Sequence, residues 1–173
     1  MAPPENDYED LIRPIEGPMM HAVWRIVGDA NEAEDAFQNA LVVIWKQFDR
    51  VRRHPNPHAL VLRICANEAL NALRRVARRR RTGGQPLTDD LEGGGLSGLE
   101  GLAAGEQRAQ VSAAIARLPR RQALAILMRA VEEMSYADIA DALGCAEPTA
   151  RTHVARARLR LRGLLPQFAP NAC

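Results

Sequence analysis

The chain has 173 residues, enough for one ordinary domain or two small ones, and its 47% hydrophobic and 4% aromatic content means a core built from Leu, Ala, Val and Ile. No apolar run approaches the ~20 residues that span a bilayer, and the acidic opening MAPPENDYEDL lacks the basic-then-apolar order of a secretory signal, so a cytoplasmic protein without membrane insertion is expected. The net charge of +2 conceals strong segregation: ten bases and one acid in residues 50–81, five acids and no base in 82–107, ten bases and five acids in 108–173.

Two basic segments flanking an acidic one suggest two surfaces for a polyanion on one chain. Of 23 bases, 22 are arginine, whose planar fork matches phosphates and guanine edges. Strand-like runs of alternating β-branched residues are absent, and the abundant Ala, Leu, Arg and Glu favour helix. The expected fold is all-α: a helical unit over residues 1–81, a flexible acidic Gly-rich linker over 82–105, and a second helical unit over 106–173.

In chain order, a first helix is expected around Asp7–Gly28, interrupted by Pro14, Gly17 and Pro18. Asn31, with Glu34 three residues on, is the expected cap of a helix from Glu32 to Phe48. Ala33, Phe37, Ala40, Leu41, Ile44 and Phe48 form its apolar face. Roughly 130° round lies a second stripe, Asp35, Gln38, Val42, Trp45 and Asp49. It reads equally as a solvated face whose Trp45 folds over the core and as a protein-docking patch, an aromatic anchor with a polar rim.

A long helix follows from about His58 to Arg80. Leu62, Cys65, Ala66, Ala69, Leu73 and Val76 share its apolar face; Arg63, Asn67, Asn71, Arg74 and Arg78 line the opposite one, where Leu60 and Ile64 also fall. Arg and Asn on one stripe suit phosphates and base edges. The run RRVARRRR, which includes Arg75 and Arg78, has no acid within a helical turn and repels itself unless a polyanion neutralises it. His54 and His58 flank PNP without carboxylate or thiol ligands nearby, so neither a metal nor any other cofactor is expected. Cys65, Cys145 and Cys173 form no disulfide framework or zinc pattern. The first two read as small buried apolar residues.

Four helices are expected near the C-terminus: Glu106–Leu118, Arg120–Glu133, Tyr136–Leu143 capped by Ser135, and Glu147–Leu165. Gly144 supplies a left-handed cap and Pro148 a first-turn proline. Two helices joined by this short small-residue turn form a helix-turn-helix. Ala150, Val154, Ala157 and Leu161 face inward, and Thr149, Arg151, Thr152, Arg156 and Arg162 lie outward, toward a DNA major groove.

Taken together, GDANEAEDAFQNALVVIWK, PHALVLRICANEALNALRRVARRR and LPRRQALAILMRAVEEMSYADIADALGCAEPTARTHVARARLRLR resemble, in this order, the bacterial sigma factors of the extracytoplasmic-function group. Ala59 and Asn71 stand where that family usually has Trp and Asp, and Pro148, Ala150 and His153 replace its commoner recognition-helix residues. The resemblance implies a non-enzymatic protein, monomeric when free. It implies docking on core RNA polymerase through Asp35, Gln38, Val42 and Trp45. Minus-ten promoter DNA would be read and opened by Arg63, Asn67, Asn71, Arg74, Arg75 and Arg78. Minus-thirty-five DNA would be read by Thr149, Arg151, Thr152, His153, Arg156 and Arg158. An anti-sigma partner is also implied. The competing expectation is a stand-alone helix-turn-helix regulator with an N-terminal sensor or dimerisation unit.

Overall fold

The computed structural model describes residues 5–83 and 99–168. Among them every regular element is helical, as composition requires: α1 (Glu5–Ile12), a 3₁₀ turn (Arg13–Ile15), α2 (Glu16–Val27), α3 (Ala30–Lys46), α4 (Phe48–Arg52), α5 (Pro57–Arg81), α6 (Leu99–Ala116), α7 (Arg120–Ala130), α8 (Tyr136–Leu143), α9 (Glu147–Leu164) and a 3₁₀ turn (Pro166–Phe168).

Local chemistry sets the boundaries. Pro14 sits in the 3₁₀ turn between α1 and α2, so the first helix is broken where its prolines predict. Gly28 ends α2 at φ 76°, a conformation that costs glycine little. The cap of α3 is Asp29 and not Asn31. Asp29 has extended backbone and its Oδ1 accepts from the Glu32 amide at 2.9 Å, whereas Asn31 already lies inside the helix. Phe48 is buried but belongs to the short α4, because α3 ends at Lys46. Helix α6 starts at Leu99, earlier than Glu106. Leu, Ala, Glu and Gln are good helix formers and outweigh Gly101 and Gly105. The rest of the expected linker, 84–98, lies outside the described residues.

Helix α5 is the central element and packs against α2 and α3 as well as α6, α7 and α8. Its Cys65, Ala66, Ala69 and Leu73 are buried as the apolar pattern predicts. Leu60 and Ile64, on the polar side by spacing, are buried too. They belong to a continuous apolar cluster that also contains Leu124 and Leu127 of α7 and Ile139 and Leu143 of α8. Helices α6, α7 and α8 pack on α5 as well as the N-terminal ones, so more than one of its faces is covered.

Between α7 and α8 the half-buried Glu132 has one carboxylate oxygen without a partner among the described residues. Burial pushes its pKa up, while Arg25 and His21 pull it back. The folded state thus disfavours the ionised form. That penalty appears as pH rises above the unfolded value, about 4.3, and is complete above the raised folded one. Glu132→Gln is expected to raise the thermal midpoint at pH 7 and to lose that advantage below about pH 4. A midpoint lowered at pH 7 would show that the carboxylate's attraction to Arg25 and His21 outweighs its desolvation.

Candidate nucleic-acid interface

Helices α8 and α9 build the first surface. Ser135 caps α8, its Oγ accepting from the Asp138 amide at 3.1 Å. Gly144 closes the helix at φ 63°, and the Cys145 amide donates back to the Ala140 carbonyl at 3.0 Å. Pro148 occupies the first turn of α9. Ile139, Ala140 and Leu143 of α8 and Ala150, Val154 and Ala157 of α9 are all buried, which leaves Thr149, Arg151, Thr152, Arg156 and Arg158 exposed.

These side chains are not equivalent. Arg151 is held in place: its Nε donates to Glu147 at 3.1 Å and its guanidinium lies 4.3 Å from the Tyr136 ring centre, which Arg129 also approaches. Thr152 Oγ1 donates to the Pro148 carbonyl at 2.9 Å. Arg156 and Arg158 make no ion pair among the described residues, and they stand i,i+4 from Arg160 and Arg162, where like charges repel. His153 is turned partly inward. Burial, with Arg121 and Arg156 nearby, pushes its pKa down, so the neutral imidazole is favoured. Its Nδ1 has no partner among the described residues.

The second surface is α5. Asn67 is fixed on both sides of its amide: Nδ2 donates to Glu68 at 3.0 Å, and Oδ1 accepts from Arg120 Nε at 2.9 Å. Asn71 donates to Glu68 at 3.2 Å. Arg74 donates to the carbonyls of Leu118 at 2.9 Å and Ala116 at 3.3 Å. Arg63 is half-buried, and burial, then Arg50, Arg120 and Arg121, lower its pKa. Arg78 is exposed. The arginine run does have an acidic partner: Glu32 of α3 lies 3.7 Å from Arg75 and pairs with Arg79. A search confined to one helical turn misses it because the acid comes from another helix. Sequence reading also missed Arg120 and Arg121, although two adjacent arginines opening a helix without nearby acids are themselves a signal. It missed the Asn56–Asp138 hydrogen bond of 2.7 Å as well.

The third surface is on α3. Asp35 and Gln38 are exposed, as are Val42 at 49% and Trp45 at 38%. The Trp45 ring meets Tyr8 edge-on at 4.9 Å, and Tyr8 in turn meets Phe48 at 5.6 Å. Trp45 therefore packs on Tyr8 with one part of its ring and faces solvent with another. His54 is engaged by the backbone of Asn56 at 2.9 Å. No cluster of three or more metal-ligating side chains occurs among the described residues, and no helix among them is long and apolar enough to cross a membrane.

Two basic helical surfaces and a helix-turn-helix define a nucleic-acid-binding protein. Residues 8–80 match the Sigma-70 region 2 family and residues 108–161 match Sigma-70, region 4. The chain is 32% identical over 153 residues to the ECF RNA polymerase sigma factor SigM of Mycobacterium tuberculosis, covering 84% of this chain and 71% of SigM. It is 29% identical over 160 residues to RNA polymerase sigma-H factor of Pseudomonas aeruginosa, covering 87% and 82% respectively. SigG of Mycobacterium tuberculosis is 28% identical over 95% of this chain, which spans 50% of SigG. A similar fold occurs in the sigma factor RpoE solved with the anti-sigma factor NepR from Bartonella quintana. The TM-score there is 0.56 at 23% identity, covering 95% of this chain and 99% of RpoE. CnrH, solved with the cytosolic domain of CnrY, gives a TM-score of 0.56 at 18% identity, with 96% and 92% covered. The chain belongs to the extracytoplasmic-function RNA polymerase sigma factors, the promoter-specific initiation factors of bacterial transcription.

Proposed function

We propose that the chain works in the cytoplasm as a recognition subunit without catalysis of its own, in three modules. Residues 1–81 carry the polymerase-docking stripe of α3 (Asp35, Gln38, Val42, Trp45) and the minus-ten stripe of α5 (Arg63, Asn67, Asn71, Arg74, Arg75, Arg78). Residues 82–105 tether them to 106–173, where Thr149, Arg151, Thr152, His153, Arg156 and Arg158 read minus-thirty-five DNA. The observation that carries this is α9: a helix-turn-helix whose outer face holds Arg156 and Arg158, which make no ion pair among the described residues. Opening a duplex costs about 1–2 kcal/mol per base step, and contacts spread over two tethered modules raise the effective concentration that offsets it. An anti-sigma protein is a further proposed partner, by analogy with the complex of RpoE and NepR.

In vitro transcription with core RNA polymerase and a promoter library tests the reading. Defined start sites that depend on the chain support it; a folded chain that yields none defeats it. Arg156→Ala is expected to weaken upstream-promoter binding by about 1–3 kcal/mol if the side chain reads a base. If it holds a phosphate, the salt slope of binding should fall by about one. A gel-shift titration over several salt concentrations separates these outcomes, and a variant that changes neither quantity removes Arg156 from the interface.

A further inference from the structure

Six arginines stand between positions 74 and 81 of α5, and they are not placed alike. Helical spacing puts Arg74 and Arg78 on one line with Asn67 and Asn71, Arg75 at the edge of that line, and Arg79 roughly 110° round from its centre. Arg75 and Arg79, one turn apart, meet the two oxygens of a single carboxylate: Glu32 Oε2 lies 3.7 Å from Arg75, and Oε1 pairs with Arg79. The Glu32 side chain is only 17% exposed, so solvent screens it less than the arginines it faces. Its place is fixed from two sides. Its amide donates to the Asp29 cap at 2.9 Å, and it sits in the first turn of α3, where the helix dipole favours an anion. Arg78, Arg80 and Arg81 are exposed and make no ion pair among the described residues.

We infer that Glu32 is a positioning residue that sorts this arginine run: it withholds Arg79 from DNA phosphates and anchors Arg75 at the edge of the minus-ten stripe, leaving Arg78, Arg80 and Arg81 to meet the backbone. The part played by Arg75 rests on the minus-ten assignment proposed above; the withholding of Arg79 does not. Without the carboxylate, Arg75 and Arg79 would stand as like charges four residues apart, which repel, and both would be open to any phosphate. Phosphate contacts carry no sequence information, so one more of them strengthens binding to every DNA alike and dilutes discrimination. Glu32 therefore lowers general affinity and preserves selectivity. Ion pairs with arginines this exposed add little to stability, so the loss of Glu32 is felt in binding rather than in folding.

Four full-length chains test this: the wild type, Glu32→Gln, Arg79→Gln and the double variant. Gln keeps the shape of Glu and suits the first turn of a helix, and urea melts of all four provide the folding control. Fluorescence anisotropy on a random-sequence duplex, titrated from about 50 to 200 mM salt, reads the number of phosphates neutralised. Glu32→Gln is expected to steepen the salt slope by about one, so that its affinity falls roughly threefold further over that range. Arg79→Gln alone should keep the wild-type slope, and the double variant should return to it. An unchanged slope in Glu32→Gln, a slope shallower by about one in Arg79→Gln, or a double variant as steep as Glu32→Gln each overturns the inference. Should Glu32→Gln fail to fold, the Arg79→Gln slope alone decides. With core polymerase and promoters selected from the library, Glu32→Gln should also lower the ratio of promoter to random-sequence affinity by about twofold or more; a ratio that holds overturns the role in selectivity. If Asn67→Ala leaves promoter opening unchanged, the minus-ten assignment fails instead, and the slopes on random-sequence DNA still decide whether Glu32 withholds Arg79.

Discussion

A Leu70→Ala chain is expected to lose about 2–5 kcal/mol of stability, the range for removing a large aliphatic side chain from a packed core. Leu70 is fully buried near the middle of α5 and belongs to the one apolar cluster that runs from α2 and α3 into α7 and α8. Total stability of a chain this size is commonly about 5–15 kcal/mol, so the loss approaches what the fold can bear. Because the cluster is continuous, unfolding in urea followed by circular dichroism should show one transition that shifts as a whole. Leu159, 69% exposed on α9, provides the control; its replacement by Ala should move the curve by less than about 0.5 kcal/mol. Two separate transitions, with only one displaced by Leu70→Ala, would show that the contacts of α5 with α7 and α8 add little cooperativity.

Trp45→Ala should weaken binding to core RNA polymerase by about 2 kcal/mol or more, roughly thirtyfold, because half-exposed aromatic anchors dominate such interfaces. Its cost to folding should be smaller. The ring is 38% exposed and its aromatic contact is the edge of Tyr8, and such ring pairs contribute about 0.5–1.5 kcal/mol beyond area burial. Asp35→Arg reverses a charge on the exposed stripe and should lower affinity with little change in unfolding. Fluorescence titration of core polymerase alongside urea melts separates the two effects. Unchanged affinity in both variants would remove α3 from the docking surface.

The parts of the fold legible in sequence were those set by neighbours along the chain. Ser135 and Gly144 bracket α8 with local caps, and its bounds match the expected Tyr136–Leu143. The prolines at 14 and 18 announced the break after α1. What failed was anything set by another helix. Leu60 and Ile64 looked misplaced because periodicity reports which face is apolar, not how many faces are covered. The run from Arg74 to Arg81 looked unpaired because Glu32 reaches it from α3. Asp29 and Asn31 are both competent caps, and only the backbone turn after Gly28 decides between them. The outward face of α9 was readable as a set, yet His153 leans inward while Arg151 is braced, distinctions that depend on Arg121, Tyr136 and Glu147 around them.

That bracing divides the labour along α9. Immobilising a long side chain on association costs about 0.5–1.5 kcal/mol, and for Arg151 folding has already met most of it through Glu147 and Tyr136. Arg156 carries no such tie among the described residues and loses its freedom at each encounter. On the proposed reading, the stiff arginine sorts one sequence from another, and the loose one gathers any backbone it sweeps past.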